Sequence, residues 1–344
     1  MIKLSFHRYD LRLKHTFTIA HDSRDVQPSL IVELAYTLPD GRVIRGFGEA
    51  TSNKYYGITL DSMIADLSAI RPLIESGQWQ SAEELWALAH PQLQQNPFAQ
   101  CALDEAAHDL MAKRAGQPLY AYWGLDASNI PLTNYTIGID TVEKMVAKMQ
   151  ELPWPLYKIK LGTSDDLAIV RELRRHTDAT FRVDANCAWT AAQTIAYAPE
   201  LQQLGVEFIE QPLKAGDWEG QQQVFAHSVL PVIADESCIV ENDVDKCINY
   251  FHGINIKLTK CGGLTPARRM IENARANNLR VMVGCMNETS VGISAIGQLL
   301  PLLDYVDMDG TLLITNDPAS GVTFDYGRVI YAAENGTGAQ LLSV

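Results

Sequence analysis

The sequence is short of positive charge. Its 344 residues carry 28 Lys and Arg against 41 Asp and Glu, a formal net charge of −13 at pH 7. A chain this acidic is poorly suited to gripping nucleic acid or an anionic membrane by general electrostatics, so neither is expected as a partner. Any anion it binds needs a local cation or a metal. The chain also lacks an apolar run near the roughly 18 residues of a membrane span. Its opening, MIKLSFHRYDLRLKHTF, alternates like a strand and has neither the apolar block nor the cleavage site of a signal peptide. No CxxC pair occurs. Cys101, Cys187, Cys238, Cys247, Cys261 and Cys285 are scattered, which points to reduced thiols in a cytoplasmic protein and away from zinc or iron–sulfur sites. Hydrophobic residues at 47% and charged residues at 20% exclude a disordered chain.

The chain changes character near residue 123. Before it, Leu11–Thr18, Ser29–Tyr36 and Gly41–Gly48 read as strands, the last two joined through the turn Pro39-Asp40-Gly41. Residues 60–75, 81–93 and 98–115 carry helical spacing, and Gly116 with Pro118 ends the last of them. This reads as a small α+β domain over 1–122. From residue 131 short β-rich segments recur: TNYTIGI, YKIKLG, TFRVDAN, VEFIEQPL, PVIADES, GINIKLT, RVMVGCM and YVDMDG. They start 22–27 residues apart, with helical stretches such as Val142–Gln150 and Pro266–Asn278 between them. Eight parallel strands in right-handed βαβ units imply a closed barrel over 123–315. The competing open, doubly wound sheet usually has a Gly-rich first turn, which is missing. The remainder, 316–344, contains a hairpin signal around Asp325–Gly327 and is expected to pack back on the first domain.

Buried parallel strands should be almost wholly apolar. These end in charges instead: Lys158 and Lys160, Asp184, Glu210, Asp235 and Glu236, Lys257, then Asp307 and Asp309. Grouped on the C-terminal rim of one barrel, they point to a site. Asp184, Glu210 and Asp235, on consecutive strands, suit a hard divalent cation: Mg²⁺, with Mn²⁺ as a substitute the sequence leaves open. Lys158 and Lys160 share one side of strand 2, and Lys257 sits across the barrel on strand 6. Mutual repulsion and burial are expected to depress lysine pKa values and so provide a neutral amine base. Lys260 reads as support for the rim.

These motifs resemble the enolase superfamily, muconate-lactonising subgroup. KIK, the metal set in VDAN, IEQP and ADES, and INIKLTKCGGL carry the resemblance, with GFGEA and ALDEAAHDLMAKRAGQPLYAYWG in the first domain. It covers essentially the whole chain. It implies an α/β protein: a modified (β/α)7β TIM-type barrel with an N-terminal α+β capping domain, completed by the C-terminal tail. It also implies a Lys base, Mg²⁺ and an enediolate.

Within that subgroup, DMDG at Asp307–Gly310 resembles the Asp-x-Asp motif of the dipeptide epimerases, where the pair binds the substrate ammonium. The resemblance therefore implies a small dipeptide substrate, with Lys160 and Lys257 as the two bases and Lys158 on the substrate carboxylate. Arg24, in the loop HDSRDVQ, is spaced from Phe17 and Ala20 as in L-Ala-D/L-Glu epimerases, and a guanidinium suits a Glu carboxylate. His21 and Asp22 depart from that pattern, and Asp22 or Asp25 could simply neutralise Arg24. Thr136 and the Gly284–Met286 strand end, with Cys285 at its centre, are expected to contact the peptide unit, and Asn186 to support the metal ligands. Tyr55 and Tyr56 line the pocket or pack it. An epimerase for hydrophobic or cationic dipeptides, a muconate cycloisomerase, an o-succinylbenzoate synthase, an N-acylamino acid racemase and a non-catalytic dipeptide-binding module stay open, as does a homo-oligomer. Murein-peptide recycling would suit such an enzyme.

Overall fold

The computed structural model describes residues 1–19 and 22–342; Ala20 and His21, including the departure at His21, lie outside them. Three antiparallel strands open the chain: β1 (Ile2–Ile19), β2 (Asp22–Thr37) and β3 (Val43–Thr51). The stretch read as a loop around Arg24 is strand instead, because the β1–β2 ladder resumes beyond an irregularity between Arg12 and Phe17 and pairs Phe17 with Arg24. The Pro39-Asp40-Gly41 turn forms, with Gly41 at φ 85°. The helical stretch 60–75 divides into Leu60–Ala69 and Arg71–Glu75. Pro72, which has no N–H to give, sits in the first turn of the second piece. Helix Pro97–Ala115 ends on Gly116 at φ 70°, the left-handed cap that glycine adopts without strain.

This last helix lies so close to β3 that a Cβ on Gly48 would collide with the Ala102 carbonyl. Close approach lets the helix carboxylates reach the strand backbone. Asp109 accepts from Phe47 N at 2.8 Å and Glu105 from Glu49 N at 2.9 Å. Glu49 in turn accepts from Thr289 N and Gly292 N, both at 3.0 Å, at the start of the barrel helix Ser290–Gly297. Asp104 does the same at 2.8 Å for Thr265 N in helix Leu264–Ala276. Carboxylates of the first domain thus supply acceptors for unpaired amides of two barrel helices.

Eight strands form one parallel sheet in sequence order: β4 (Tyr135–Ile137), β5 (Leu156–Lys160), β6 (Thr180–Asp184), β7 (Val206–Glu210), β8 (Val232–Ala234), β9 (Gly253–Ile256), β10 (Arg280–Gly284) and β11 (Tyr305–Asp307). A parallel bridge between Thr133 and Val306 joins the first to the last and closes the circuit. Each expected strand segment coincides with one of them, β5 beginning one residue early at Leu156. Outward-facing Ile and Val residues pack under the helices. Inside, Phe208, Ile233 and Met282 form an apolar floor, and Arg182 stacks over Phe208 and Tyr305. Among the described residues no long helix follows β11; a 3-10 turn lies at Gly310–Leu312. The tail then makes the expected hairpin, Thr323–Asp325 against Arg328–Ile330, with Tyr326 and Gly327 both at positive φ as a tight two-residue turn needs. Beyond it, Thr337 N donates to Asp109 at 2.7 Å and Lys113 Nζ to the Ala339 carbonyl at 3.0 Å, both on the first domain. No helix among the described residues is long and apolar enough to cross a membrane.

Candidate active site

Period-2 alternation carries one side chain per turn of pleat into the barrel, so the residues at strand ends meet above the apolar floor. There Asp184, Glu210 and Asp235 are buried, and one oxygen of each lies within 4.8 Å of the others. Four lysines surround them. Lys158 Nζ sits 2.7 Å from Glu210 Oε2, 2.9 Å from Asp307 Oδ2 and 3.3 Å from Asp184 Oδ2. Lys160 Nζ is 2.7 Å from Asp184 Oδ2, and across the barrel Lys257 Nζ is 2.8 Å from Asp235 Oδ2. Lys260 reaches further in than the sequence suggests: it is buried and donates to Asp235 Oδ1 at 2.6 Å and to the Asp235 carbonyl at 2.7 Å.

The expectation of lysines with lowered pKa is not met at Lys158 or Lys257. Burial alone would lower both. It is outweighed by Asp307 and Glu210 at Lys158 and by Asp235 at Lys257, so both ammonium groups are held above their ordinary range. The sequence shows lysine beside lysine on strand 2; the fold places each against carboxylates from other strands. The same contacts hold Asp235 low, because Lys257 and Lys260 outweigh its burial.

The aspartate pair is unequal. Asp307 accepts from Lys158 and, at 2.7 Å, from Asn134 Nδ2. Burial would raise it, but Lys158 dominates and brings it to about 2. Asp309 has no lysine within bonding reach in the described residues; it accepts from Thr136 N at 2.5 Å. Burial and then the Asp307 charge push it up to about 7. Cys285 lies against this pair, its Sγ 4.0 Å from Asp309 Oδ1. Asn186 bonds Asp184 through its backbone N–H at 2.9 Å.

Three positioning residues escaped the sequence reading. Asn255 donates to Glu210 Oε1 at 2.8 Å. Gln211 Oε1 accepts from Asp235 N at 2.9 Å and Ser237 N at 3.0 Å, fixing the loop after β8. Asn134 orients Asp307. Each stands next to or two residues from Glu210, Lys257 or Thr136, and the inward alternation of Asn255 with Lys257 is the signal the sequence carries.

A cavity of about 330 Å³ opens over these groups. Barrel residues Thr136, Lys158, Lys160, Lys257, Cys285, Asp307 and Asp309 line it from below. Phe17, Asp22, Arg24, Tyr55 and Tyr56 line it from the first domain, so the pocket lies between the two. Tyr56 also packs on Phe98, at 5.7 Å between ring centres. Arg24 pairs with Asp22 at 2.6 Å, whereas Asp25 accepts from Thr16 instead.

Comparison with known proteins agrees with this geometry. Residues 3–124 match the mandelate racemase / muconate lactonizing enzyme N-terminal domain, and residues 140–341 the enolase C-terminal domain-like family. A protein from Flavobacterium johnsoniae named L-Ala-D/L-amino acid epimerase is 58% identical, over 99% of this chain and 100% of its own. An L-Ala-D/L-Glu epimerase from Bacteroides thetaiotaomicron is 38% identical, over 95% of this chain and 85% of its own. The solved dipeptide epimerase from Cytophaga hutchinsonii, complexed with Mg and D-Ala-L-Val, superposes with a TM-score of 0.89 at 25% identity, covering 98% of this chain and 95% of that one. With both halves matched and relatives aligned along its length, the chain belongs to the mandelate racemase / muconate lactonizing enzyme family of the enolase superfamily, among its dipeptide epimerases.

Proposed function

We propose that the chain inverts the α-carbon of the C-terminal residue of a dipeptide, with L-Ala-L-Glu as the first substrate to test. The observation that carries this reading is the placement of Lys160 and Lys257 on opposite strands, either side of the carboxylate triad, in a cavity that also holds Asp307 and Asp309. The three buried carboxylates form a hard oxygen donor set that fits Mg²⁺, and Mn²⁺ fits the same oxygens. Asp184, Glu210 and Asp235 would hold the ion, which supplies Lewis-acid stabilisation of negative charge on the substrate carboxylate.

The chain's own groups do the rest. Lys158, kept protonated, donates to the substrate carboxylate and stabilises charge as the adjacent Cα–H bond breaks. Lys160 takes the proton on one face and Lys257 returns one on the other. In the reverse direction Lys257 takes the proton, and Asp235, if it held a cation, would hold the Lys257 proton less firmly, which would bring that amine toward the range a base needs. Asp309 and Asp307 anchor the substrate ammonium, and Thr136 and Cys285 border the peptide unit. Arg24 faces the side chain of the residue being inverted. A cycloisomerase or synthase substrate without an ammonium group would leave Asp309 unmatched in a buried pocket.

We also propose a capping domain over 1–122, a barrel over 123–315 and a returning tail over 316–344. The stop at Gly116 and the bonds of Thr337 and Ala339 to the first domain support that division. Six unpaired thiols support a cytoplasmic location, and peptides released from murein are the corresponding substrate source.

The test is incubation with Mg²⁺ and L-Ala-L-Glu in D₂O, following the Glu α-proton by NMR. Deuterium entry with epimerisation is expected, reduced about 10³-fold or more in Lys160→Ala and Lys257→Ala. Exchange only with other dipeptides would discard the Glu assignment. No exchange with any dipeptide would sink the epimerase reading.

A further inference from the structure

The first-domain wall of the cavity carries an ion pair of its own. Arg24 Nη2 lies 2.6 Å from Asp22 Oδ2, and Arg24 Nη1 donates to Gln27 Oε1. Gln27 cannot turn away: it is buried, and its Nε2 donates to the Ser52 carbonyl at 2.9 Å and the Pro28 carbonyl at 3.0 Å. Its carbonyl oxygen is therefore fixed toward Arg24. The two charged side chains are each about a quarter exposed, at 25% for Arg24 and 26% for Asp22, and both border the cavity. Asp25 does not share the task, since it bonds Thr16 Oγ1 at 2.6 Å and is exposed.

A lone guanidinium at this place would favour an acidic side chain and leave an unpaired charge beside any neutral one. With Asp22 present, the Arg24 charge is matched before substrate arrives. A neutral side chain then leaves no charge unpaired, and an acidic one must share Arg24 with a carboxylate already bonded to it. Specificity is a difference between such cases, and a like charge placed against one substrate is one way to set it. We propose that Asp22 is a specificity-determining residue: by neutralising Arg24 it opens the pocket to dipeptides with uncharged polar or aliphatic C-terminal side chains, where Arg24 alone would select acidic ones. This rests on the dipeptide-epimerase reading above.

The experiment compares kcat/KM for L-Ala-L-Glu, its neutral isostere L-Ala-L-Gln, and L-Ala-L-Met, in the full Mg²⁺-supplied chain and in Asp22→Asn, Asp22→Ser and Asp25→Asn. The original chain should turn over all three, with Glu and Gln within about tenfold of each other. Both Asp22 variants should raise the Glu-to-Gln ratio about tenfold or more, through a lower KM for the acidic substrate and little change in kcat for Gln. Asp25→Asn, which removes the same charge nearby, should leave the ratio unmoved. An unchanged ratio in both Asp22 variants would overturn the proposal while leaving the epimerase reading intact. So would rejection of Gln and Met by the original chain. Absence of α-proton exchange with all three dipeptides would overturn this inference, and the epimerase reading falls with it only if no other dipeptide exchanges either.

Discussion

Asn255 and Glu210 meet inside the barrel, the Asn255 amide donating to Glu210 Oε1 at 2.8 Å while Lys158 takes Oε2 at 2.7 Å. One carboxylate of the triad is therefore held at both oxygens by groups from other strands. The amide has room only because β10 carries glycine two residues past its register partner Met282: a Cβ on Gly284 would stand 2.8 Å from Asn255 Oδ1.

Loss of this support should weaken metal binding more than folding. Asn255→Ala is expected to lower Mg²⁺ affinity about 10–100-fold, the usual effect of removing a partner that orients a ligand. Titration calorimetry checks it, with circular dichroism to confirm the fold. Gly284→Ala should move affinity in the same direction by displacing Asn255. Unchanged affinity in both would show that Lys158 alone orients Glu210.

Substrate binding should depend on pH through Asp309, whose pKa is pushed up to about 7. Asp307, Lys148, Tyr135 and Cys285 are the ionisable groups that act on it or feel it. Below that pH the carboxyl is neutral and attracts an ammonium poorly; above it the charge is present. KM for a free dipeptide should therefore be several-fold higher at about pH 6 than at about pH 7.5, where the dipeptide ammonium is still largely present. Asp309→Asn should raise KM and flatten this step, while an N-formyl dipeptide, lacking the ammonium, should show no step in the original chain. A step that survives in Asp309→Asn would assign it to another group.

Folding stability should fall as pH rises from about 6.5 to 8. Burial, and then the Glu49 charge, raise Glu288 to about 8, and burial raises Asp104 to about 7. In this window the folded chain binds protons that unfolded carboxylates have already released, so raising the pH favours unfolding. His108, lowered to about 4 by burial, is neutral in the folded state throughout and adds little above 6.5. The Glu288 contribution is on the order of 1–2 kcal/mol across the window. Chemical denaturation at fixed steps of pH measures it, and Glu288→Gln should flatten the slope. A slope that rises with pH would contradict the assignment.

Much of the site was legible because charge is conspicuous in a buried strand. Asp184, Glu210, Asp235 and the lysines stand out from Ile, Val and Phe at alternate positions, and the 22–27-residue rhythm places them on one rim. Neutral amides do not stand out in the same way. Asn255, Asn134 and Gln211 act through partners on other strands or the loops after them, 45 positions away in the case of Asn255 and Glu210. Lysine protonation failed for the same reason: Lys257 is governed by Asp235, and nothing local to INIKLT reveals that contact. The extension of β2 through Arg24 was hidden because pairing with β1 resumes only past an irregularity, which alternation within one strand does not encode.

The bonds from Thr337 to Asp109 span 228 positions of sequence. A ribosome adding about 5–20 residues per second needs roughly 10–50 s to cover that distance. Throughout that interval the first domain is already translated, yet Asp109 lacks the Thr337 amide it will bond. The barrel is encoded between the two partners of that contact. A nascent chain stalled before residue 337 would thus hold the β1–β3 ladder beside an unsealed helix, and the stretch around Thr337 works as a clasp on a helix made long before it.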